Sequence, residues 1–144
     1  MKTEVIPAIN AKNRETFQRR LKLIAPYTRV VQVDVMDGKF VKQTTWHNPK
    51  TINDWNIDTH YELHLMVEDP ISIIQKWKNV RGFKRAIVHA EAPKKLGHLV
   101  ETIRGMKLQA GVAISPGTPI RLLNPIADRL DMILVMGGKP GKSG

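Results

Sequence analysis

The segment Val31–Val41, VQVDVMDGKFV, says most about how this chain folds. Side chains of a β-strand alternate between its two faces. One face of this strand is therefore formed by Val31, Val33 and Val35, and the other by Gln32, Asp34 and Met36. An all-valine face is buried, and the alternation of strands and helices along the chain predicts a parallel sheet, which is normally covered on both faces.

Asp34 is the unusual residue of this strand. An ionised carboxylate inside a sheet costs free energy unless a cation, a metal ion or a bound substrate pairs with it, and aspartate is seldom fully buried without a partner. We therefore expect Asp34 to belong to a functional site rather than to cap the following turn. Asp37, next to Gly38, fits the turn-capping role better.

Short apolar runs alternate with helical patterns along the chain. The predicted strands are TEVIPAI, TRVVQVDVM, THYELHLMV, KRAIVHA, KLQAGVAIS and LDMILVM. The predicted helices are Asn13 to Ile24, Asn48 to Asn53, Pro70 to Lys78, Pro93 to Met106 and Pro119 to Ala127. Pro70, Pro93 and Pro119 stand where a first-turn proline belongs. This order predicts an α/β protein with a parallel sheet.

Polar side chains gather at the predicted carboxyl ends of these strands. They are Gln32, Asp34, Glu62, His64, His89, Glu91 and Ser115, joined by Met36, Met66 and Met136. Active sites are built at this edge both in a (β/α)8 barrel and in an open doubly wound sheet. The residue pattern alone leaves these two folds open. His60 shares a strand face with His64 but lies at the entry end, where a structural role is expected.

Composition excludes several classes of protein. The chain has no cysteine, which excludes disulfides and thiolate metal sites and favours an intracellular location. No apolar run is long enough for a signal peptide or a membrane span, so we predict a cytoplasmic protein without membrane contact. The net charge of +10 comes from 23 Lys and Arg spread along the chain. That spread favours solvated helix surfaces, which attract anionic substrates, over a nucleic-acid partner.

Five motifs extend over nearly the whole chain from Val5 onwards. They are VDVMDGKFV (33–41), ELHLMVEDP (62–70), VHAEA (88–92), GVAISPGTP (111–119) and ILVMGGKPGKSG (133–144). In content and order the set resembles the ribulose-phosphate 3-epimerase family. The resemblance implies a (β/α)8 TIM barrel, of which about six β/α units are present as one partial domain over residues 1–144.

The resemblance also implies a metal-dependent isomerase that interconverts ribulose 5-phosphate and xylulose 5-phosphate. In the family, one aspartate removes a proton from C3 of this phosphorylated ketopentose and a second aspartate returns one to the opposite face. The motif match implies that Asp34 is the first of these acid/base residues. It further implies that Asp34, His64 and Gln32 hold a divalent metal ion such as zinc, iron(II) or manganese.

Other matched positions are implied to contact the substrate. Met36, Met66 and Met136 match three methionines around the reacting carbon, although any one of them taken alone is better explained as part of a packed core. Gly141 and Gly144 match glycines whose backbone N–H groups hold the phosphate, because the missing side chain permits close approach.

The chain departs from the family pattern in three places. Gln32 stands where the family has a metal-binding histidine, and Ala8 stands where it has a substrate-contacting serine. The sequence stops at Gly144, inside the phosphate loop, which predicts a fragment or a truncated product without strands seven and eight and without the second aspartate. An epimerase and a non-catalytic phosphosugar-binding half-barrel both stay open as functions. The unpaired edges of a six-stranded sheet predict low stability or a homo-oligomer.

Overall fold

The computed structural model describes residues 3–142, which form six strands and four α-helices. The strands are β1 (Ala8–Ile9), β2 (Val30–Met36), β3 (His60–Met66), β4 (Phe83–His89), β5 (Gln109–Ile114) and β6 (Met132–Val135). The helices are α1 (Arg14–Ile24), α2 (Pro49–Asp54), α3 (Pro70–Trp77) and α4 (Leu96–Gly105). Two 3₁₀ segments cover Ala25–Tyr27 and Ile120–Arg129.

The strands form one parallel sheet in which spatial order follows chain order from β1 to β6. A doubly wound sheet reverses its strand order at a switch point, whereas a barrel adds each strand beside the previous one. The sequential order therefore decides between the two folds that the residue pattern left open. It confirms the predicted architecture as part of a (β/α)8 barrel.

The two faces of β2 lie in different layers, as the alternation predicts. Val31, Val33 and Val35 are all 0% exposed and share one apolar cluster with Phe17 and Leu21 of α1. Full burial of such a side chain contributes about 1.5–3 kcal/mol relative to exposure, so this layer fixes the face that β2 turns toward the helices. The opposite face of the strand is left for the polar residues.

Strand register determines which polar residues meet on that opposite face. In the pairing of β2 with β3, Asp34 is level with His64, and Met36 is level with Met66. Neighbouring strands lie about 4.8 Å apart, so level side chains that point to the same face are within hydrogen-bonding reach for Asp and His. The predicted acid and the predicted imidazole are therefore neighbours.

The first strand is shorter than predicted. Of the run TEVIPAI only Ala8 and Ile9 pair with β2. Pro7 accepts a hydrogen bond from Gln32 N–H at 2.9 Å through its carbonyl oxygen, but it has no N–H of its own to continue the ladder.

Helix α4 begins at Leu96, so the prediction of a helix starting at Pro93 was wrong. The chain after β4 first makes a turn in which Ala92 N–H donates to the carbonyl oxygen of His89 at 3.1 Å. This turn and the loop that follows delay the helix by three residues.

The prediction of an α-helix from Pro119 to Ala127 was also wrong, because Ile120–Arg129 forms a 3₁₀ segment. Pro125 lies inside it. In an α-helix the proline ring would clash with the carbonyl group of Arg121, four residues earlier, and the missing N–H would leave that carbonyl without a donor. Pro70, by contrast, opens α3 as predicted. Within residues 3–142, no helix has the length and apolar character needed to cross a membrane.

Candidate active site

A cavity of about 570 Å³ opens beside the carboxyl ends of the strands, with walls from β2, β3 and the segment that follows β6. Every predicted site residue that the structure describes lines it: Gln32, Asp34, Met36, His64, Met66, Met136 and Gly141. Gly144 lies outside the described residues. The tertiary structure thus gathers around one cavity a set of residues that is spread over more than 100 positions of the sequence.

Asp34 is a paired carboxylate in the wall of this cavity. Its Oδ1 atom accepts a hydrogen bond from Gln32 Nε2 at 3.0 Å and lies 3.1 Å from His64 Nδ1. The Asp34 side chain is 15% exposed, and its Oδ2 atom makes no hydrogen bond to any of the residues that the structure describes. One carboxylate oxygen is therefore held by protein groups while the other is left for a ligand.

The donor set at Asp34 fits a divalent metal ion in type and spacing. A carboxylate, an imidazole and an amide oxygen suit zinc, manganese or iron(II). Two neighbouring ligand atoms, each about 2.1 Å from one metal ion, lie about 3.4 Å apart in tetrahedral geometry and about 3 Å apart in octahedral geometry, so the 3.1 Å between Asp34 Oδ1 and His64 Nδ1 is compatible with both atoms on one ion. Among residues 3–142, no group of three or more His, Cys, Asp or Glu is placed to hold a metal ion.

His64 contacts a second histidine, His89. His64 Nε2 lies 2.8 Å from His89 Nε2, and the two rings stack with centroids 5.0 Å apart. His89 Nδ1 lies 3.0 Å from Glu91 Oε2. Burial lowers the pKa of His89, and the neighbouring His64 imidazole lowers it further, against the opposing effect of Glu91. A continuous row of polar groups thus runs from Asp34 in the cavity to Glu91.

Glu91 is anchored on the far side of that row by other donors. Its Oε1 atom accepts hydrogen bonds from Ser115 N–H at 2.8 Å and from the Thr118 hydroxyl. Burial by itself would raise the pKa of Glu91, but these hydrogen bonds and the one from His89 outweigh it and lower the pKa to about 2. Glu91 is therefore ionised at neutral pH, and an ionised carboxylate only accepts hydrogen bonds.

Asp37 caps the turn after β2, as predicted. Its Oδ1 atom accepts from the N–H groups of Lys39 and Phe40, and its Oδ2 atom accepts from Glu68 N–H at 2.8 Å. Burial opposes ionisation, but these three backbone donors lower the pKa of Asp37. Gly38 has φ +77°, a left-handed conformation that glycine adopts without strain.

Gly141 lies close to the loop that follows β2. It has φ +78°, and a Cβ atom at this position would lie 2.7 Å from Gln43 Oε1. The positive φ favours glycine here, whereas the flexible Gln43 side chain could move aside, so backbone conformation alone explains the residue. The approach of Gly141 to this loop places the chain after β6 over the cavity.

Two cationic residues that were not predicted as site residues lie at the cavity. Arg20 of α1 and Lys142 both line it. Arg20 Nη1 donates to the carbonyl oxygen of Asn10 at 2.5 Å, which holds the guanidinium near the carboxyl end of β1. In the sequence Arg20 is one of several basic residues in RETFQRRLK and looks like part of a solvated helix face.

Glu62 lies away from the cavity, although the sequence pattern grouped it with the strand-end residues. It is 1% exposed, and its Oε2 atom accepts from Arg85 Nη1 at 2.7 Å. Burial raises the pKa of Glu62, with partial compensation by the Arg85 charge. Its neighbours Val30, His60 and Gln109 begin β2, β3 and β5, so Glu62 and His60 belong to the opposite, amino-terminal end of the sheet.

Comparisons with known proteins agree with this arrangement. The sequence profile of the ribulose-phosphate 3 epimerase family matches residues 4–144. The chain is 35% identical over 117 residues to a ribulose-phosphate 3-epimerase of Chlamydia muridarum, covering 80% of this chain and 50% of the relative. It is 30% identical over 143 residues to a ribulose-phosphate 3-epimerase of Rhodobacter capsulatus, covering 98% of this chain and 62% of the relative.

A third relative, the ribulose-phosphate 3-epimerase of Bacillus subtilis, is 33% identical over 116 residues, which are 79% of this chain and 52% of the relative. The chain thus spans about half the length of the curated relatives it matches. Since the family profile covers the strands, the cavity and the site residues together, this chain belongs to the ribulose-phosphate 3 epimerase family.

Proposed function

We propose that residues 1–144 form a single partial barrel domain with one side of a ribulose-phosphate 3-epimerase active site, in which Asp34 moves a proton at C3 of a phosphorylated ketopentose. The proposal rests chiefly on the Asp34 carboxylate, which lines a cavity together with the other residues that the motifs single out. The names of the relatives support a ribulose phosphate that is epimerised at C3, and we propose ribulose 5-phosphate and xylulose 5-phosphate as the substrate pair. A cytoplasmic location and the lack of a nucleic-acid partner stay predictions.

Asp34 Oδ2 is the atom that takes the proton. Because Gln32 Nε2 donates to Oδ1 and the His64 ring lies against the same oxygen, the carboxylate cannot rotate freely and Oδ2 faces the ligand. When the C3 proton moves to Oδ2, the C–H electron pair moves toward the neighbouring carbonyl and an enediolate forms. Return of the proton from Asp34 restores the starting sugar, whereas delivery to the opposite face gives the epimer.

The remaining cavity residues bind and enclose the substrate. Met36 and Met66 are 3% and 1% exposed, and with Met136 they form an apolar wall that excludes water from the reacting carbon. Arg20 and Lys142 supply positive charge for the phosphate, together with the net charge of +10.

A divalent metal ion would be held by Asp34, His64 and the amide oxygen of Gln32. Zinc, manganese or iron(II) would supply positive charge beside the substrate oxygens on which negative charge develops. The amide of Gln32 is a neutral ligand and weaker than the imidazole that the family places there.

A second candidate function is phosphosugar binding without turnover. Asp34 is the one carboxylate among residues 3–142 that lines the cavity, and epimerisation needs a second acid on the opposite face of the substrate. Ala8, which also lines the cavity, cannot make the hydrogen bond of a serine.

Proton exchange in D₂O separates the two candidates. We expect the chain alone, with ribulose 5-phosphate and Mn²⁺, to introduce deuterium at C3 without forming xylulose 5-phosphate, because one base can remove and return the proton on one face. The joined protein, in which this chain is fused to the part of the Rhodobacter capsulatus relative that it does not match, should epimerise. Ribulose 5-phosphate that binds by calorimetry but shows no C3 exchange with either protein would establish the binding function instead.

The proposed metal site predicts that Gln32→His increases the affinity of the chain for a metal ion. An imidazole in place of the amide should lower the zinc dissociation constant by about tenfold or more, because imidazole is the better ligand for this ion. Titration of the chain with zinc, manganese and iron(II) measures the effect. The control is Gln75→His, which adds a histidine at an exposed position of α3. If Gln32→His binds none of the three metals more tightly than the parent, Gln32 is not a ligand.

A further inference from the structure

The hydrogen bonds along the row of side chains from Asp34 to Glu91 share one direction from donor to acceptor, because each neutral imidazole has one nitrogen that donates and one that accepts. Glu91 sets this direction. Its Oε1 atom receives the Ser115 N–H and the Thr118 hydroxyl, and its Oε2 atom faces His89 Nδ1 at 3.0 Å. Since the carboxylate can only accept, the proton of His89 lies on Nδ1.

The position of the proton on His89 determines the position of the proton on His64. With its proton on Nδ1, His89 presents the lone pair of Nε2 to His64 Nε2, 2.8 Å away. His64 must therefore donate from Nε2, and its own lone pair lies on Nδ1. That lone pair faces Asp34 Oδ1 at 3.1 Å. A lone pair and a carboxylate oxygen repel each other unless a cation lies between them.

We propose that Glu91 and His89 are positioning residues that hold His64 in the Nε2–H form, so that its Nδ1 lone pair and Asp34 together present a cation-binding pair. The inference rests on the proposed function in taking this pair as metal ligands. Neither positioning residue lines the cavity, and each acts through the ring next to it. Mutation of a residue that hydrogen-bonds to a metal-binding histidine typically lowers metal affinity by about 10–100-fold.

The substitution Glu91→Gln should reverse the direction of the whole row. Ser115 N–H is a fixed backbone donor, so the amide oxygen of the new side chain must face it and the NH₂ group must face His89. His89 then accepts at Nδ1 and donates from Nε2. His64 must accept at Nε2 and carry its proton on Nδ1, where the proton occupies the space of the cation.

The direct test is ¹⁵N NMR of the histidine side chains, which distinguishes the two tautomers, on the chain with and without zinc. In the wild type we expect the His89 proton on Nδ1, and with zinc bound we expect the His64 proton on Nε2. In Glu91→Gln the His89 proton should move to Nε2. A wild-type His89 protonated only on Nε2 overturns the proposal without any variant, and an unchanged tautomer in a folded Glu91→Gln protein also overturns it.

Zinc affinity provides a readout that a merely structural role would not produce. Glu91→Gln should raise the zinc dissociation constant by about 10–100-fold, whereas Glu91→Ala, which leaves the direction unspecified, should raise it less. If Glu91 only supports the loop, the larger truncation to alanine should cost at least as much as the isosteric amide, and that order overturns the proposal. Glu68→Gln, an exposed glutamate whose side chain makes no hydrogen bond to the described residues, is the control.

The His89 tautomers can be measured without zinc, so this test can succeed or fail independently of the proposed function. If wild-type chain bound no zinc or catalysed no C3 exchange, the proposed function would fail while the His89 tautomers of wild type and Glu91→Gln would still decide the positioning role.

Discussion

Asp34→Asn should reduce C3 proton exchange by the chain, and epimerisation by the joined protein, by roughly 10²–10⁴-fold, the usual contribution of a general base. The amide of asparagine keeps the shape of the carboxylate and can still accept a hydrogen bond from Gln32, but it cannot take a proton from carbon. Deuterium incorporation at C3, measured by mass spectrometry in buffer of defined metal content, gives the rate.

The matched control is Asp58→Asn. Asp58 is 97% exposed and paired with Arg81, far from the cavity in the loop before β3, so its loss should leave the exchange rate unchanged. Denaturant unfolding of both variants checks that the fold is kept. An exchange rate within tenfold of the parent in Asp34→Asn would remove Asp34 from the role of base.

Self-association of the 144-residue chain is the second large effect that we expect. In the described sheet, β1 and β6 each pair with one neighbour only, and edge strands with unpaired N–H and C=O groups recruit other strands. On β6, Ile133 and Val135 are 41% and 70% exposed, although Ile133 pairs with Val112, a fully buried residue of the helix-facing layer. Copies of the chain should bury these edges against one another or aggregate.

Light scattering combined with denaturant unfolding measures this property. We expect a mass above the 16.3 kDa of one chain, and we expect Ile133→Lys to lower it because a lysine on an edge strand opposes pairing. Leu23→Lys changes an apolar residue of α1 that is 68% exposed and should leave the mass unchanged. A monodisperse 16.3 kDa species that unfolds cooperatively would contradict the prediction.

The sequence predicted the two faces of β2 correctly because alternation along a strand is a local property. Three valines at every second position predict a buried outer face, and the intervening Gln32 and Asp34 then lie on the inner face. The carboxyl end of each strand also lies within about one residue of its predicted position, although β1 begins later than predicted. Local patterns predicted helix boundaries less well: α4 begins three residues after Pro93, and a proline inside residues 120–129 replaces the expected α-helix with 3₁₀ turns.

Only the tertiary structure shows which polar residues of one strand belong to the candidate site and which do not. Glu62 and His64 lie two residues apart on one face, and alternation treats them alike. Arg85 on the neighbouring strand pairs with Glu62 at one end of the sheet, whereas His64 meets Asp34 at the other. The cavity residue Arg20 could not be predicted either, because nothing in a basic helical segment tells which arginine reaches over the edge of the sheet.

By itself, the sequence determined the β/α alternation, the inward-facing Asp34 and the motif set of the family, all of which are written in short stretches of chain. The sequential strand order, the 3.1 Å approach of His64 to Asp34 and the row through His89 to Glu91 were decided by tertiary structure alone. Those features depend on how strands far apart in sequence pair and in which register. Register is set by the packing of both sheet faces at once, which no single segment encodes.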